Sequence, residues 1–197
     1  MKLKKAFTAS VMFLSLLTIF YFIHVKYFQV NVVFYSAILD AILAALFATG
    51  LLFRLSYFNI FSIFEKFQMA AIWILIGYAF AISVPTVIDR SLSFYILEKL
   101  QQRGGGIEYS RFEDVFTKEY LYEHRLVDVR LTEQMASGTI TVKDGCVKLT
   151  KHGERLAGFS RFFRQNFLPK ERLLMGEYSD ALTDPFRDSI HRMGYEC

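Results

Sequence analysis

Cysteine, proline and glycine are scarce in this chain, and each scarcity excludes a class of protein. Two cysteines among 197 residues cannot build the disulfide framework of a small secreted scaffold. Three prolines and 11 glycines exclude collagen-like and low-complexity chains. The 53% content of hydrophobic residues and the 17% content of aromatic residues exclude a disordered chain, which would bury too little apolar surface to fold.

Catalytic and metal-binding motifs are also missing. The four histidines are not spaced with one another, or with a cysteine, as the ligands of a metal site would be. The sequence contains no nucleophile elbow and no HExxH motif, and the glycines at 104–106 are not followed by the Lys-Ser or Lys-Thr of a phosphate-binding loop. We therefore expect no metal, no cofactor, no catalytic residue and a non-enzymatic role.

Acidic residues are nearly absent from the first half of the chain, and this places the net charge of +4. Residues 1–88 hold six lysines or arginines but only two acids, Asp40 and Glu65, whereas residues 89–197 hold 17 of each sign. A basic chain would suggest nucleic-acid binding if its charge were spread over a polar domain. Because the whole surplus lies in the apolar half, it indicates membrane orientation instead.

Three long apolar runs occupy the first half, at residues 6–24, 30–53 and 69–88. Each is long enough to cross a hydrocarbon core of about 30 Å, so we predict three transmembrane helices. The basic start of the chain also fits a cleaved signal peptide. However, the first run is long and no small-x-small cleavage site follows it, which favours an uncleaved signal anchor.

The distribution of Lys and Arg around these runs predicts the orientation. Three runs place the N-terminus and the second connector on one side, and the first connector and the C-terminal region on the other. The first side carries five basic residues and the second carries three: Lys2, Lys4, Lys5, Arg54 and Lys66 against Lys26, Arg90 and Lys99. We therefore expect a cytoplasmic N-terminus and an extracytoplasmic C-terminal domain.

Asp40 is the charged residue inside the second run. A carboxylate in a spanning helix is costly and normally faces a partner or a water-filled cavity. It fits either a proton or substrate site, or a polar group that joins helices within this chain or to another subunit. Because no Lys or Arg lies inside the runs to accompany it, we favour a role in intramembrane association.

The connector between the second and third runs, at residues 54–67, is dominated by aromatic residues. We expect it to lie at headgroup depth as an interfacial segment, where it contacts lipid or a partner. A groove for a lipid tail or a polyprenyl lipid is the alternative. The candidate contact residues are Tyr57, Phe58, Phe61 and Phe64.

The polar half predicts a small α+β domain over residues 89–168. A helix over 91–102 comes first, and Ser110 and Glu113 form a capping box before a second helix. A third helix ends at Gly138, and Asp144-Gly145 then indicates a β-hairpin. The last helix ends before Pro169, and we expect its Phe159 and Phe163 to lie in the core.

This order of elements resembles a winged-helix domain. The third helix reads VDVRLTEQMASG, and the wing ends in VKLTKHGERL, whose L-T-x-x-G pattern is similar to that of MarR-type winged helices. The resemblance implies a DNA-binding surface in which a recognition helix enters the major groove and the wing contacts phosphate. The DNA-contact candidates are Arg125, Arg130, Lys143 and Lys148.

The charge of this domain argues against DNA binding. The third helix also carries Asp128 and Glu133, Asp144 lies at the tip of the wing, and the predicted topology places the domain outside the cell. We therefore expect the winged-helix-like domain to contact protein rather than DNA. The tail at 169–197 is too apolar to be disordered, so we expect it to pack on this domain or on a partner.

Together these observations predict a three-pass membrane protein that serves as an accessory or assembly subunit, through contacts with other subunits or with itself. Its location and aromatic content fit a complex that handles envelope lipids or glycans. The alternative is a membrane-tethered transcription regulator, and a small transporter or enzyme centred on Asp40 ranks third. Cys146 and Cys197 pair if the domain is exported, and both stay as thiols if it is cytoplasmic.

Overall fold

The structure is a computed structural model that describes residues 1–183 and 185–187. It is 72% helical and contains a small β region of two sheets. The chain divides into two compact units, Met1–Tyr120 and Leu121–Cys197. The domain boundaries that we predicted after residues 88 and 168 divide the chain differently, and they stay predictions.

The first unit contains three apolar helices in the described part of the chain. α1 is Lys2–Tyr27, α2 is Val33–Arg54 and α3 is Ile63–Ala81. α3 continues through a π-helical turn, Ile82–Thr86, into α4, Val87–Arg90. All three spans are long and apolar enough to cross a membrane, which is consistent with the prediction of three transmembrane helices.

Local hydrogen bonding explains why the third span is longer than the sequence indicated. It begins at Ile63 because Ser62 and Glu65 form a capping box, a motif that we had assigned to Ser110 and Glu113 instead. It continues past Pro85, which has no N–H to donate to the carbonyl of Ala81. The Thr86 hydroxyl donates to that carbonyl over 2.7 Å and replaces the missing bond. The helix therefore reaches Arg90.

Small residues on α2 bring the three helices close together. A stripe of alanines on α2 is buried, and it packs beside Phe13 of α1 and Trp73 of α3 in one core. The Phe13 and Trp73 rings stack with their centroids 5.4 Å apart. A Cβ added at Gly77 of α3 would lie only 2.7 Å from the Cβ of Ala41, so the two helices pack too closely here for any side chain at position 77. Close approach through small residues is typical of membrane helices.

A shorter helix follows the third span within the first unit. α5, Leu92–Gln102, matches the helix predicted over 91–102, and the Ser91 hydroxyl caps it by accepting from the amide of Phe94. Its buried Lys99 contacts Glu119, with Nζ and Oε2 2.8 Å apart, and Arg103 donates to the same carboxylate over 2.9 Å. The hydrogen bond from Lys99 is the main reason why the pKa of Glu119 lies below its usual value. These contacts tie α5 to the π-helical segment Val115–Tyr120.

The capping box that we predicted at Ser110 and Glu113 is wrong. The Ser110 hydroxyl donates to Glu108, and a 3₁₀ turn, Tyr109–Arg111, occupies this position. The predicted second helix is present as short consecutive pieces, α6 at Phe112–Asp114, the π-helical segment, and α7 at Leu121–Glu123.

The second unit contains the short α7, two longer helices and two hairpins in its described part. α8, Leu126–Ala136, leads into β1, Ile140–Lys143, and β2, Cys146–Leu149, which pair in an antiparallel manner as predicted. α9, Lys151–Phe167, follows. A second hairpin, β3 at Arg172–Leu174 and β4 at Glu177–Ser179, lies in the region that we had assigned to a tail.

The described residues of the second unit do not form a hydrophobic core. The buried residues among them are Thr139, Cys146 and Gly153. The prediction that Phe159 and Phe163 are core residues is wrong, since these side chains are 62% and 42% exposed. The large apolar side chains of α9 are exposed in the described part of the unit. The structure therefore shows the helix–hairpin–helix order but not a winged-helix fold.

Candidate functional site

Asp40 forms a hydrogen bond with His24 inside the apolar bundle. The Nδ1 atom of His24 lies 2.7 Å from Oδ1 of Asp40. His24 belongs to the last turn of α1, and Asp40 lies two turns into α2, so the short Phe28–Val32 connection brings them together. Asp40 is therefore closer to one end of its helix than the midway position that the apolar run indicated.

The second carboxylate oxygen of Asp40 has a different environment. The residue is only 3% exposed, and its Oδ2 atom has no hydrogen-bond partner among the residues that the structure describes. A buried acceptor without a donor costs about 1–3 kcal/mol in a folded protein, and membrane lipid offers no water to supply one. This oxygen is therefore a position where a donor from outside the described chain would be stabilising.

A cavity of about 280 Å³ lies beside this carboxylate. Leu39 and Leu43 line it from α2 and are each about half exposed, so the cavity is reached from the outer surface of the bundle. Apart from the histidine and the carboxylate, its lining is hydrophobic: Phe20, Ile23 and Phe28 of the α1 side, and Leu39 and Leu43 of α2. The arrangement is an apolar groove with one hydrogen-bonded polar pair, His24 and Asp40, at its wall.

His24 was not predicted as the partner of Asp40. The expectation that nothing accompanies this carboxylate rested on the absence of Lys and Arg from the spans, and it is wrong. His24 lay at the last position of the first predicted span, 16 residues before Asp40. The signal that could have revealed it is the up-down order of two helices joined by a short connection, which places the end of one beside the start of the next.

The aromatic connector divides into buried and exposed side chains. Phe58 and Phe61 are 3% and 7% exposed and belong to the core of the first unit. Tyr57 and Phe64 are 50% and 75% exposed. Burial leaves Phe58 and Phe61 little surface for a lipid or a partner, so the candidate contact surface narrows to Tyr57 and Phe64. Phe64 also belongs to the first turn of α3 rather than to an interfacial segment.

Basic residues from the start of α1 contact this connector. Lys2 pairs with Glu65 over 2.8 Å, and Lys5 donates to the carbonyl of Tyr57 over 2.7 Å. The Lys5 ammonium also lies 4.4 Å from the centre of the Tyr57 ring. The N-terminus and the second connector therefore lie at the same end of the bundle, opposite the end near which His24 and Asp40 pair. Which side of the membrane each end faces stays a prediction.

The DNA-contact candidates lie on two elements of the second unit. Arg125 and Arg130 are each paired with the carboxylate three residues ahead, Asp128 and Glu133, over 2.9 Å. On the hairpin, Lys148 is the register partner of Thr141 and Lys143 that of Cys146, so both lysines lie on the same face. The arginines thus make local ion pairs, whereas the two lysines are exposed.

Neither a metal cluster nor a free thiol is found in the described residues. No group of three His, Cys, Asp or Glu side chains within them is arranged to hold a metal ion. Cys146 is disulfide-bonded. The other cysteine of the predicted pairing, Cys197, lies outside the described residues.

Comparison with known proteins gives no assignment. No protein-family model, no curated protein and no solved structure matches the chain.

Proposed function

We propose that this chain is a non-enzymatic accessory or assembly subunit of a membrane complex. In this role the groove beside Asp40 receives a transmembrane helix of another membrane protein. The observation that carries the proposal is Asp40, which lines an open apolar groove and whose buried Oδ2 atom has no donor in the described chain. A Ser, Thr, Asn, Gln or Lys side chain on the incoming helix would complete its hydrogen bonding.

The chemistry of the groove supports a helix rather than a small polar substrate. Most of its wall is leucine, isoleucine and phenylalanine, which pack well against an apolar helix, and its two polar residues, His24 and Asp40, are hydrogen-bonded to each other. Interhelical hydrogen bonds in membranes contribute about 0.6–2 kcal/mol each. A single such bond fixes the depth and rotation of the incoming helix, while the apolar walls supply most of the contact.

A proton-carrying role has one observation in its favour, the hydrogen bond between His24 and Asp40. A proton path also needs polar groups that continue across the membrane. The buried cluster that packs through the middle of the bundle consists of Ala, Leu, Phe and Trp side chains. We therefore place assembly ahead of proton transfer.

The second unit would add a contact outside the hydrocarbon. Its α8–β1–β2–α9 order resembles the C-terminal part of a winged helix, and we propose that it serves protein contact. The local ion pairs of Arg125 and Arg130 make these side chains less available to phosphate. This supports protein contact over the alternative of a membrane-tethered regulator that binds DNA.

Photo-crosslinking from the groove tests the proposal. A photo-reactive phenylalanine analogue at Leu43, beside Asp40, is compared with the same analogue at Leu75, an exposed leucine of α3 away from the groove. We expect the Leu43 position to yield an adduct with another membrane protein in native membranes, and the Leu75 position to yield none with that protein. Mass spectrometry of the adduct identifies the partner.

Substitution of Asp40 in the crosslinking chain is the second part of the test. Asp40→Asn should weaken the adduct because an amide keeps only one of the two acceptor oxygens, and Asp40→Leu should abolish it because neither remains. Adducts with lipid alone, or an adduct that Asp40→Leu leaves unchanged, would count against the proposal. An adduct between two copies of this chain would show self-association in place of a second subunit.

A further inference from the structure

The exposed face of α9 has the composition of a helix that lies on a membrane surface. The helix has 17 residues and is about 25 Å long. At 100° per residue, four of its large apolar side chains fall within one sector of about 80°, and Phe162 lies outside it, about 100° from its centre. We call this sector the phenylalanine face, and it comprises Leu156, Phe159, Phe163 and Phe167.

The phenylalanine face is formed in the structure, and it is uncovered. The Phe159 and Phe163 rings lie 6.0 Å apart, and Phe163 stacks on Phe167 at 5.4 Å. All members of the face are exposed, Phe167 to 64% and Leu156 to 46%. An exposed apolar patch of this kind on a folded helix marks a binding surface.

The charges beside this face identify its occupant. α9 carries four Lys or Arg residues and one acid, and no ion pair to any of the four is found in the described part of the chain. Arg155 and Arg164 flank the phenylalanine face on its two sides, at about 80° and 100° from its centre. Basic residues beside a row of Phe and Leu are typical of interfacial helices that bind anionic lipid.

The covalent connection makes a membrane available to this helix at all times. The third apolar span ends at Arg90, and α9 begins 61 residues later in the same chain. A bilayer is therefore the partner with the highest local concentration. A protein partner would have to match both the apolar sector and the uncompensated positive charge.

We propose that α9 binds the surface of an anionic membrane. In this arrangement the phenylalanine face enters the boundary between headgroups and acyl chains, and Arg155 and Arg164 contact lipid phosphates. The membrane then covers apolar surface that the described second unit leaves exposed. This inference does not depend on the groove at Asp40.

Fluorescence quenching on the full chain in nanodiscs tests this arrangement. A fluorescent amino acid replaces Phe163 on the phenylalanine face or Gln165 on the opposite face, and brominated lipid is the quencher. The nanodiscs contain phosphatidylcholine alone or phosphatidylcholine with phosphatidylglycerol. We expect quenching at position 163 in the anionic nanodiscs, weaker quenching there in the neutral ones, and little at position 165 in either.

Charge reversal separates specific binding from general attraction. Arg155→Glu with Arg164→Glu is compared with Lys143→Glu with Lys148→Glu, which makes the same change in net charge on the hairpin. Each basic residue near an anionic surface strengthens binding about fivefold. We therefore expect the α9 variant to lower the ratio of bound to unbound α9 by about tenfold or more and the hairpin variant to lower it much less.

Two results would overturn the proposal. One is a position-163 label that lipid does not quench in either nanodisc, which would place protein or solvent over the phenylalanine face. The other is equal quenching in neutral and anionic nanodiscs. Hydrogen exchange of the unmodified chain serves as a control without a label. We expect its α9 amides to exchange more slowly in anionic than in neutral nanodiscs.

Discussion

His24 and Asp40 lower the cost of each other's burial in the bundle. The hydrogen bond gives one oxygen of the carboxyl group and one nitrogen of the imidazole a polar partner. A buried acidic group with such a partner is less costly in an apolar environment than one without. The hydrogen bond of 2.7 Å therefore explains how α2 can carry Asp40 at 3% exposure.

A double-mutant cycle tests this mutual dependence. We expect His24→Leu to destabilise the folded chain by about 3 kcal/mol, because it leaves a buried carboxyl without its partner. Replacing both residues with leucine should cost less than the sum of the two single changes. Denaturation in detergent micelles, followed by circular dichroism, measures all four chains. Additive single effects would show that the pair contributes no coupling.

Gly77 is the second residue on which the geometry of the site depends. It packs against Ala41, the neighbour of Asp40. A Cβ added at Gly77 would lie 2.7 Å from the Cβ of Ala41. We expect Gly77→Ala to destabilise the bundle by about 1–3 kcal/mol, because α2 and α3 would have to separate. Gly50→Ala is the matched control, since no atom lies within 4 Å of a Cβ there. The same denaturation measurement applies, and equal stability of the two variants would contradict the close packing.

Residue-level prediction from sequence identified Asp40 but not its surroundings. An acidic residue in an apolar run can be recognised from the sequence alone, because the free-energy cost of burying it depends on its own chemistry. Its partner His24 is visible only when the rotation of two helices about their axes is known, and that rotation follows from packing such as Gly77 against Ala41. The same limit applies to Phe58 and Phe61, whose aromatic character is equally suited to lipid contact and to a core.

At the scale of elements, the start of α9 depends on a close backbone approach. The hydroxyl of Thr150 accepts from the amide of Gly153 and caps the helix. A Cβ at Gly153 would lie 2.2 Å from the carbonyl oxygen of Thr139 and 2.7 Å from the Leu149 side chain. The junction between the β1–β2 hairpin and α9 therefore requires glycine at this position.

Alanine substitution at two glycines of α9 tests that junction. We expect Gly153→Ala to destabilise it by about 1–3 kcal/mol. Gly158→Ala should instead stabilise α9 by up to about 1 kcal/mol, since its Cβ meets open space and alanine favours helix. Hydrogen exchange of peptides covering residues 138–155, read by mass spectrometry, distinguishes the two. Slower exchange in Gly153→Ala than in the unmodified chain would refute the steric argument.

The attachment of α5 to the Val115–Tyr120 segment should depend on pH through Glu119. Its pKa is lowered in the folded chain, chiefly by the hydrogen bond from Lys99. A lowered carboxyl pKa stabilises the fold above the unfolded value, about 4.3, and this contribution is lost as the pH falls through the folded value. We expect α5 amides to lose protection below about pH 4.3, after correction for intrinsic exchange.

Substitution of Glu119 provides the control for this pH dependence. Glu119→Gln should lower the protection of α5 at neutral pH and remove the acid-induced change, because no carboxylate remains to titrate. Glu113→Gln, at an exposed position of the same helical stretch, should keep both the protection and the pH step. A pH step that survives in Glu119→Gln would assign the effect to another group.

Elements with a strong local sequence signal were predictable. Elements whose signal is weak, or occurs at more than one place in the chain, were not. The β1–β2 hairpin was predictable because Asp-Gly is a sequence signal for a tight hairpin turn. Asp144 and Gly145 adopt the positive φ angles, 54° and 76°, that such a turn requires. The β3–β4 hairpin turns at Met175 and Gly176, and methionine gives no such signal. The S-x-x-E pattern occurs at both Ser62 and Ser110, and only the helix that follows decides which one forms a capping box.

At the scale of the whole molecule, the distribution of basic residues makes one prediction that covers the entire chain. Five Lys or Arg residues at the N-terminal end of the bundle against three at the other favour a cytoplasmic N-terminus. A reporter fused after Cys197 should therefore report the extracytoplasmic side. A reporter fused after Arg54, the last residue of α2, should report the cytoplasm. Reversed signals would place the second unit inside the cell and return DNA binding to consideration.

The unequal lengths of the three spans have a consequence for the choice of bilayer. At 1.5 Å per residue, the 26 residues of α1 and the 28 residues of the third span extend about 39 and 42 Å, whereas the 22 residues of α2 extend about 33 Å. A hydrocarbon core is about 30 Å thick. The two longer helices can tilt or extend into the headgroups, but α2 has little length to spare. The central helix, which carries Asp40, therefore sets the membrane thickness that the protein tolerates, and a thicker bilayer would draw that carboxyl further into the hydrocarbon.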